Sequence, residues 1–196
     1  MYGDLSVSRG AGASLVLAGV TASALYPGYS IRQDISDLGS TRPPNPVIVE
    51  PSATLFNATM LATGVLVLLA AVGLWRTGAP RPLSGGLGVF GAAVFAVGVF
   101  PGNVTPWHGL FALLTFFSGG VAAVLSSRVV SRPFSVLCGV FGGISLLVLG
   151  IVFFYGLVVG GPHPLEFLSA GGTERWVVYP ILLWGALSGP IPLFLN

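Results

Sequence analysis

The chain has 196 residues, 54% of them apolar and 7% charged, with a mean hydropathy of +0.90. A soluble domain carries about 25% charged residues, so the polar surface here is too small for a water-soluble globule and a chain solvated by lipid is expected. The same composition excludes a disordered chain, a coiled coil and a basic nucleic-acid binder, because all eight basic residues are Arg and outnumber the acids by only two.

A hydrocarbon layer about 30 Å thick needs roughly 20 apolar helical residues. Six stretches meet that requirement: 8–26, 53–75, 83–101, 107–126, 134–158 and 175–195. Lipid offers backbone groups no hydrogen bonds, so each is expected to be a helix, with short connections making neighbours antiparallel. The expected fold class is all-α, a polytopic six-transmembrane-helix bundle forming one domain over residues 1–196.

The first span ends in Ala22-Ser23-Ala24, a small-x-small pattern shared with secretory signals, but it is read as a retained helix. After it comes an outward loop, residues 27–52. Within that loop Ser30 can cap a short amphipathic helix at about 30–38, whose residues Ile31, Ile35 and Leu38 share one face and which Gly39 ends. It is expected to lie at the interface, presenting Arg32, Asp34 and Asp37. The following Arg42-Pro43-Pro44-Asn45-Pro46 reads as an extended connector.

Glycines recur inside the later spans as Gly139-x-x-x-Gly143 and Gly185-x-x-x-Gly189, and close helix packing within the bundle is expected there. Cys138 lies alone in an apolar run, so no disulfide or CxxC motif exists. Pro180, Pro190 and Pro192 interrupt the last span, and Trp75, Trp107 and Trp176 mark span ends at the headgroup level.

With the N-terminus in the cytoplasm, Arg9, Arg76, Arg81, Arg128 and Arg132 fall inside and Arg32, Arg42 and Arg175 outside, which places both termini on the cytoplasmic side of the cell membrane. That topology brings Asn57, Asn103, His108, Glu174 and Arg175 to one outer depth, beside the loop that carries Arg32, Asp34 and Asp37. Ionisable groups at such a depth face the interior or a wet cavity. The candidate ligand-binding set is therefore Arg32, Asp34, Asp37, Asn57, His108, Glu174 and Arg175. Each has a plainer reading: Glu174 opening a helix complements its dipole, Arg175 snorkels to phosphate, and Asp34 pairs with Arg32 at the surface.

Catalytic templates are missing. There is no GxSxG elbow, HExxH pair, P-loop or His pair at metal spacing, and His163 sits in a Gly-Pro-His-Pro turn. No cofactor and no metal are expected. A transporter is poorly supported because no charge lies in mid-span and no half-to-half repeat is evident.

Tyr26-Pro27-Gly28-Tyr29-Ser30, Ile35-Ser36-Asp37-Leu38-Gly39, Asn57, Phe100-Pro101 with His108, Glu174-Arg175, Tyr179-Pro180 and Trp184 together resemble a prokaryotic, mainly archaeal, family of six-helix membrane proteins known only as a domain of unknown function. The resemblance covers nearly the whole chain. More distantly the architecture is similar to the damage-regulated autophagy modulators and the GPI-anchor lipid-remodelling factor, which implies a lipid-facing role and transfers no active site. The leading expectation is an outward pocket for a lipid headgroup or similar polar ligand, with Arg175 and Arg32 on phosphate. A non-catalytic subunit of a membrane complex and an intramembrane lipid hydrolase or transferase are the alternatives. Membrane lipids are the expected partners, with a membrane-protein partner or a second copy also open, and no nucleic acid.

Overall fold

The computed structural model describes residue 17 and residues 19–188. Most of the expected first span lies outside these residues; its final turns are helical at residues 19–24 and form α1. Five long helices follow: α2 (Ser52–Arg76), α3 (Arg81–Val99), α4 (Trp107–Ser126), α5 (Phe134–Phe154) and α6 (Ser169–Ser188). A π-helical turn, Tyr155–Val159, extends α5, and single 3-10 turns occur at Ile35–Leu38 and Glu166–Leu168.

Pro51, Pro80, Pro106 and Pro133 stand at the N-cap positions of α2, α3, α4 and α5. Proline loses no intrahelical hydrogen bond there, whereas further inside it would remove one. These prolines explain why the four helices start close to where hydropathy alone placed them. The four helices, with α5 continued to Val159, are long and apolar enough to cross a membrane.

The last helix departs from expectation. It starts at Ser169 rather than near 175, so Glu174 and Arg175 lie beyond its first turn. A hydropathy window registers where lipid-like residues begin, and Ser169–Thr173 are small or polar yet still helical. Pro180 lies inside this helix, and Gly189, Pro190 and Pro192 fall outside the described residues. Without an amide, Pro180 leaves the carbonyl of Trp176 with no helical donor. The adjacent carbonyl of Val177 accepts a bond from the fully buried Ser145 hydroxyl on α5, at 2.5 Å.

Consecutive long helices pack on one another, and α4 also touches α6. The starts of α2, α4 and α6 and the ends of α3 and α5 therefore gather at the end of the bundle that carries loop 25–51. Arg76, Arg81, Arg128 and Arg132 gather at the opposite end. The core joins Val67, Phe90, Val94, Ala122, Val177 and Trp184. A second cluster beneath the loop joins Ala22, Leu38 and Phe56.

Close helix approach comes from other glycines than the spaced pair expected at 139 and 143. A Cβ at Gly64 would lie 2.5 Å from the Phe95 amide nitrogen, locking α2 to α3. A Cβ at Gly142 would lie 2.6 Å from the Gly120 carbonyl oxygen, locking α5 to α4, while Gly143 faces open space. Lipid gives helices little hydrophobic reason to associate, so backbone proximity of this kind holds them.

Gly142→Ala should lower the unfolding stability in detergent by about 1–3 kcal/mol through overpacking. Gly143→Ala should leave it unchanged or raise it by up to about 1 kcal/mol through helix propensity. Thermal unfolding followed by tryptophan fluorescence distinguishes the two; equal effects would contradict the assigned contact.

Candidate functional site

The site begins where the chain leaves α1. Gly28 adopts φ +80, a left-handed conformation open to glycine, and the chain reverses there so that the rings of Tyr26 and Tyr29 approach to 5.7 Å. The amphipathic helix expected at 30–38 shrinks to the 3-10 turn Ile35–Leu38. Local bonds take its first half: the Gln33 side chain accepts the Ser30 amide at 2.9 Å, and the Gln33 amide donates to the Ser30 carbonyl at 2.9 Å. Ile31, assigned to the apolar face, is 75% exposed, whereas Leu38 is buried.

What organises residues 31–35 is the start of α6. The Gly171 amide donates to the Arg32 carbonyl at 3.0 Å. The Glu174 carboxylate accepts the Ile35 amide. Arg175 Nη1 lies 2.8 Å from the carbonyl oxygens of Ile31, Gln33 and Gly171, and Nη2 donates to the Tyr29 hydroxyl at 2.7 Å. Gly171 is required here because a Cβ would run into the Gln33 carbonyl. Burial pushes the Tyr29 phenol up to about 12, against the lowering effect of Arg175. The phenol therefore keeps its proton, which it donates to the Asp34 carbonyl at 3.0 Å.

Beneath this clamp lies a cavity of about 590 Å³ between α1, α2, α3, α4 and α6. Val20, Phe56, Met60, Phe90, Val94 and Ile181 give it an apolar body. Tyr29, Glu174 and Arg175 border its loop end, and His108 and Thr115 line the α4 wall. His108 is 2% exposed, and its Nδ1 lies 2.8 Å from the Phe100 carbonyl oxygen. His108 Nε2 and Thr115 Oγ1 are buried without a protein partner. Such a cavity falls within the size range of sites for small organic ligands, about 300–1,000 Å³.

Of the seven residues expected to form a site, the cavity gathers three: His108, Glu174 and Arg175. Arg32 has an exposed side chain and contributes its carbonyl. Asp34 pairs at 2.8 Å with Arg42, not with Arg32. Asp37 lies on the 3-10 turn, outside the cavity lining. Asn57 faces Gly39, its Oδ1 buried and unpartnered. His163 serves the turn expected of it, its Nδ1 accepting the Leu165 amide at 3.2 Å. Tyr29 and Thr115 complete the cavity and were not among the expected residues. Tyr29 stood in the conspicuous Pro-Gly-Tyr-Ser stretch, and Thr115 falls seven positions after His108 on the same helical face.

Apolar helices long enough to span a bilayer, enclosing a cavity with a polar end, define a helical membrane protein. Its family is a protein of unknown function, DUF998, whose model matches residues 10–189; the chain belongs to it. No curated protein and no solved structure matches the chain.

Arg175→Ala strands the carbonyls of Ile31 and Gln33 and should cost about 1–3 kcal/mol. The loss should appear as faster hydrogen exchange and proteolysis at residues 29–38, and Arg175→Lys should not restore protection, because an ammonium lacks the guanidinium fork. Wild-type protection in both variants would contradict the clamp.

Burial holds the Asp37 carboxyl above the usual carboxylate range, with the charge of Asp34 adding to the shift and Arg42 opposing it. A carboxyl whose folded-state pKa is raised favours folding while protonated, and that contribution is lost as pH rises through the folded value. Asp37→Asn should therefore raise the unfolding temperature near pH 7 and leave it unchanged at about pH 3. A drop at neutral pH would show that the ionised form is favoured in the fold.

Proposed function

We propose that the protein is an integral membrane protein whose cavity binds a lipidic amphiphile, with the polar head under the Tyr29, Glu174 and Arg175 clamp and the chain along Phe90, Val94 and Ile181. In this reading α1 and α6 complete a six-span bundle in the cell membrane. Both termini face the cytoplasm, on the side where Arg76, Arg81, Arg128 and Arg132 gather.

The observation that carries the reading is the pairing of an apolar cavity of about 590 Å³ with a buried, unpartnered His108 nitrogen in its wall. A purely structural interior would fill such space with side chains, since protein interiors are packed to crystal-like density. An unpaired buried polar atom is costly, and a ligand that pairs with it removes the penalty. The cavity is bordered by four long helices and the end of α1, and the outer faces of those helices carry exposed apolar side chains such as Leu69, Val89, Leu110 and Leu187. Lipid is the solvent at hand, so a lipidic occupant needs no aqueous route.

Ala112 lines the cavity on α4, and Ala112→Trp would fill the space without touching the clamp. Native mass spectrometry and lipid extraction of gently purified protein should give about one retained lipid per wild-type chain and a loss of most of it in Ala112→Trp. Equal lipid retention in a folded variant would overturn the cavity as the site.

A further inference from the structure

The hydrogen bonds of the cavity wall select the polar head it accepts. Arg175 is the one Arg in that wall among the described residues, and its guanidinium already serves three carbonyls and the Tyr29 hydroxyl. The Tyr29 hydroxyl both accepts from Arg175 and donates to Asp34, and Glu174 accepts the Ile35 amide. Thr59 returns its hydroxyl to the Leu55 carbonyl at 2.7 Å. These bonds tie Arg175, Tyr29, Glu174 and Thr59 to the fold.

Two groups differ. The Phe100 carbonyl can only accept, so the His108 Nδ1 facing it at 2.8 Å carries the hydrogen. In the uncharged ring Nε2 is then a lone-pair acceptor, and it is buried with no partner. Thr115 is the second. The helical hydroxyls of Thr59, Ser118 and Ser126 donate to the carbonyl four residues back, yet Thr115 Oγ1 has no such bond. One face of α4 thus offers an acceptor and a free hydroxyl two helical turns apart, about 10 Å along the axis.

An acceptor calls for a donor. A phosphodiester group itself carries no proton to donate, whereas a hydroxyl does. We propose, on the reading that the cavity holds an amphiphile, that its ligand is an uncharged lipid with a free hydroxyl, a long-chain alcohol or a diacylglycerol, whose O–H donates to His108 Nε2. The two sources share the same chemistry at the head and differ in the number of chains that follow it.

Equilibrium binding to wild-type protein in phosphatidylcholine nanodiscs tests this with four probes: oleyl alcohol, its methyl ether, dioleoylglycerol and dioleoylphosphatidic acid. A site built around a hydroxyl rejects an analogue lacking it, so the alcohol should bind on the order of tenfold or more tighter than the ether. Preference for dioleoylglycerol over oleyl alcohol would identify the two-chain source, and the reverse the single-chain source; either supports the inference. In His108→Phe the alcohol and ether should bind alike, since ring volume is kept and the lone pair is gone. Equal binding of alcohol and ether to the wild type, or preference for phosphatidic acid, would overturn the hydroxyl assignment while leaving the lipid cavity standing. Binding of none of the four would overturn both. The wild-type comparison decides the matter even if His108→Phe fails to fold.

Discussion

The arrangement at the loop end depends on one clamp: three residues of α6 hold the backbone of residues 31–35. Gly171 gives its amide, Glu174 takes one, and Arg175 spreads its guanidinium over two loop carbonyls. Hydrogen bonds to charged groups contribute about 1.5–3 kcal/mol each, which is large beside the few tenths expected of an exposed ion pair such as Asp34 with Arg42. The contacts run to main-chain atoms, so the loop side chains are left free to pack or face outward. Leu38 uses that freedom to pack against Ala22 and Phe56, joining α1 to α2. The clamp thereby roofs the cavity.

The cavity itself follows from how helices associate in lipid. When apolar surface is equally content facing a neighbour or an acyl chain, association is driven by close backbone contact and by polar groups. The backbone contacts occur where Gly64 meets Phe95 and where Gly142 meets Gly120. They draw α2 to α3 and α5 to α4, and nothing comparable pulls α1 onto the centre among the described residues. Space is left between α1, α2, α3, α4 and α6, with the polar groups at its rim and on the α4 wall.

Much of the fold was legible because its signals are local. Hydropathy and the prolines before α2, α3, α4 and α5 set those helices within a few residues. The start of α6 was misplaced because Gly171 and Gly172 look like loop and Ser169–Thr173 carry little hydropathy, though the helix there is required to aim Glu174 and Arg175. The 30–38 segment misled in the opposite direction. Its spacing of Ile31, Ile35 and Leu38 suits a helix, but the carbonyls a helix would use are claimed by Arg175 and by local side chains. Gly139 and Gly143 carry a familiar spacing, yet Gly143 faces open space and a Cβ at Gly139 would only graze Ser127 at 3.9 Å, whereas Gly142, beside them, makes the close contact. Rotation of a helix about its axis decides this, and spacing along one chain does not report it.

Composition and hydropathy by themselves determined that this is an α-helical membrane chain, because a bilayer leaves a backbone few ways to be satisfied and long apolar runs show which one is used. The residue types of a polar end, with His108, Glu174 and Arg175 at one depth, were visible for the same reason: polar groups are rare here and depth follows from the spans. Tertiary structure alone decided their contacts. It set the Arg175 guanidinium against loop carbonyls, left His108 Nε2 buried in the cavity wall without a protein partner, and put Arg32, Asp34, Asp37 and Asn57 outside the cavity lining. A hydrogen bond depends on distances of a few tenths of an ångström between residues far apart in the chain, and those distances exist only once the helices have packed.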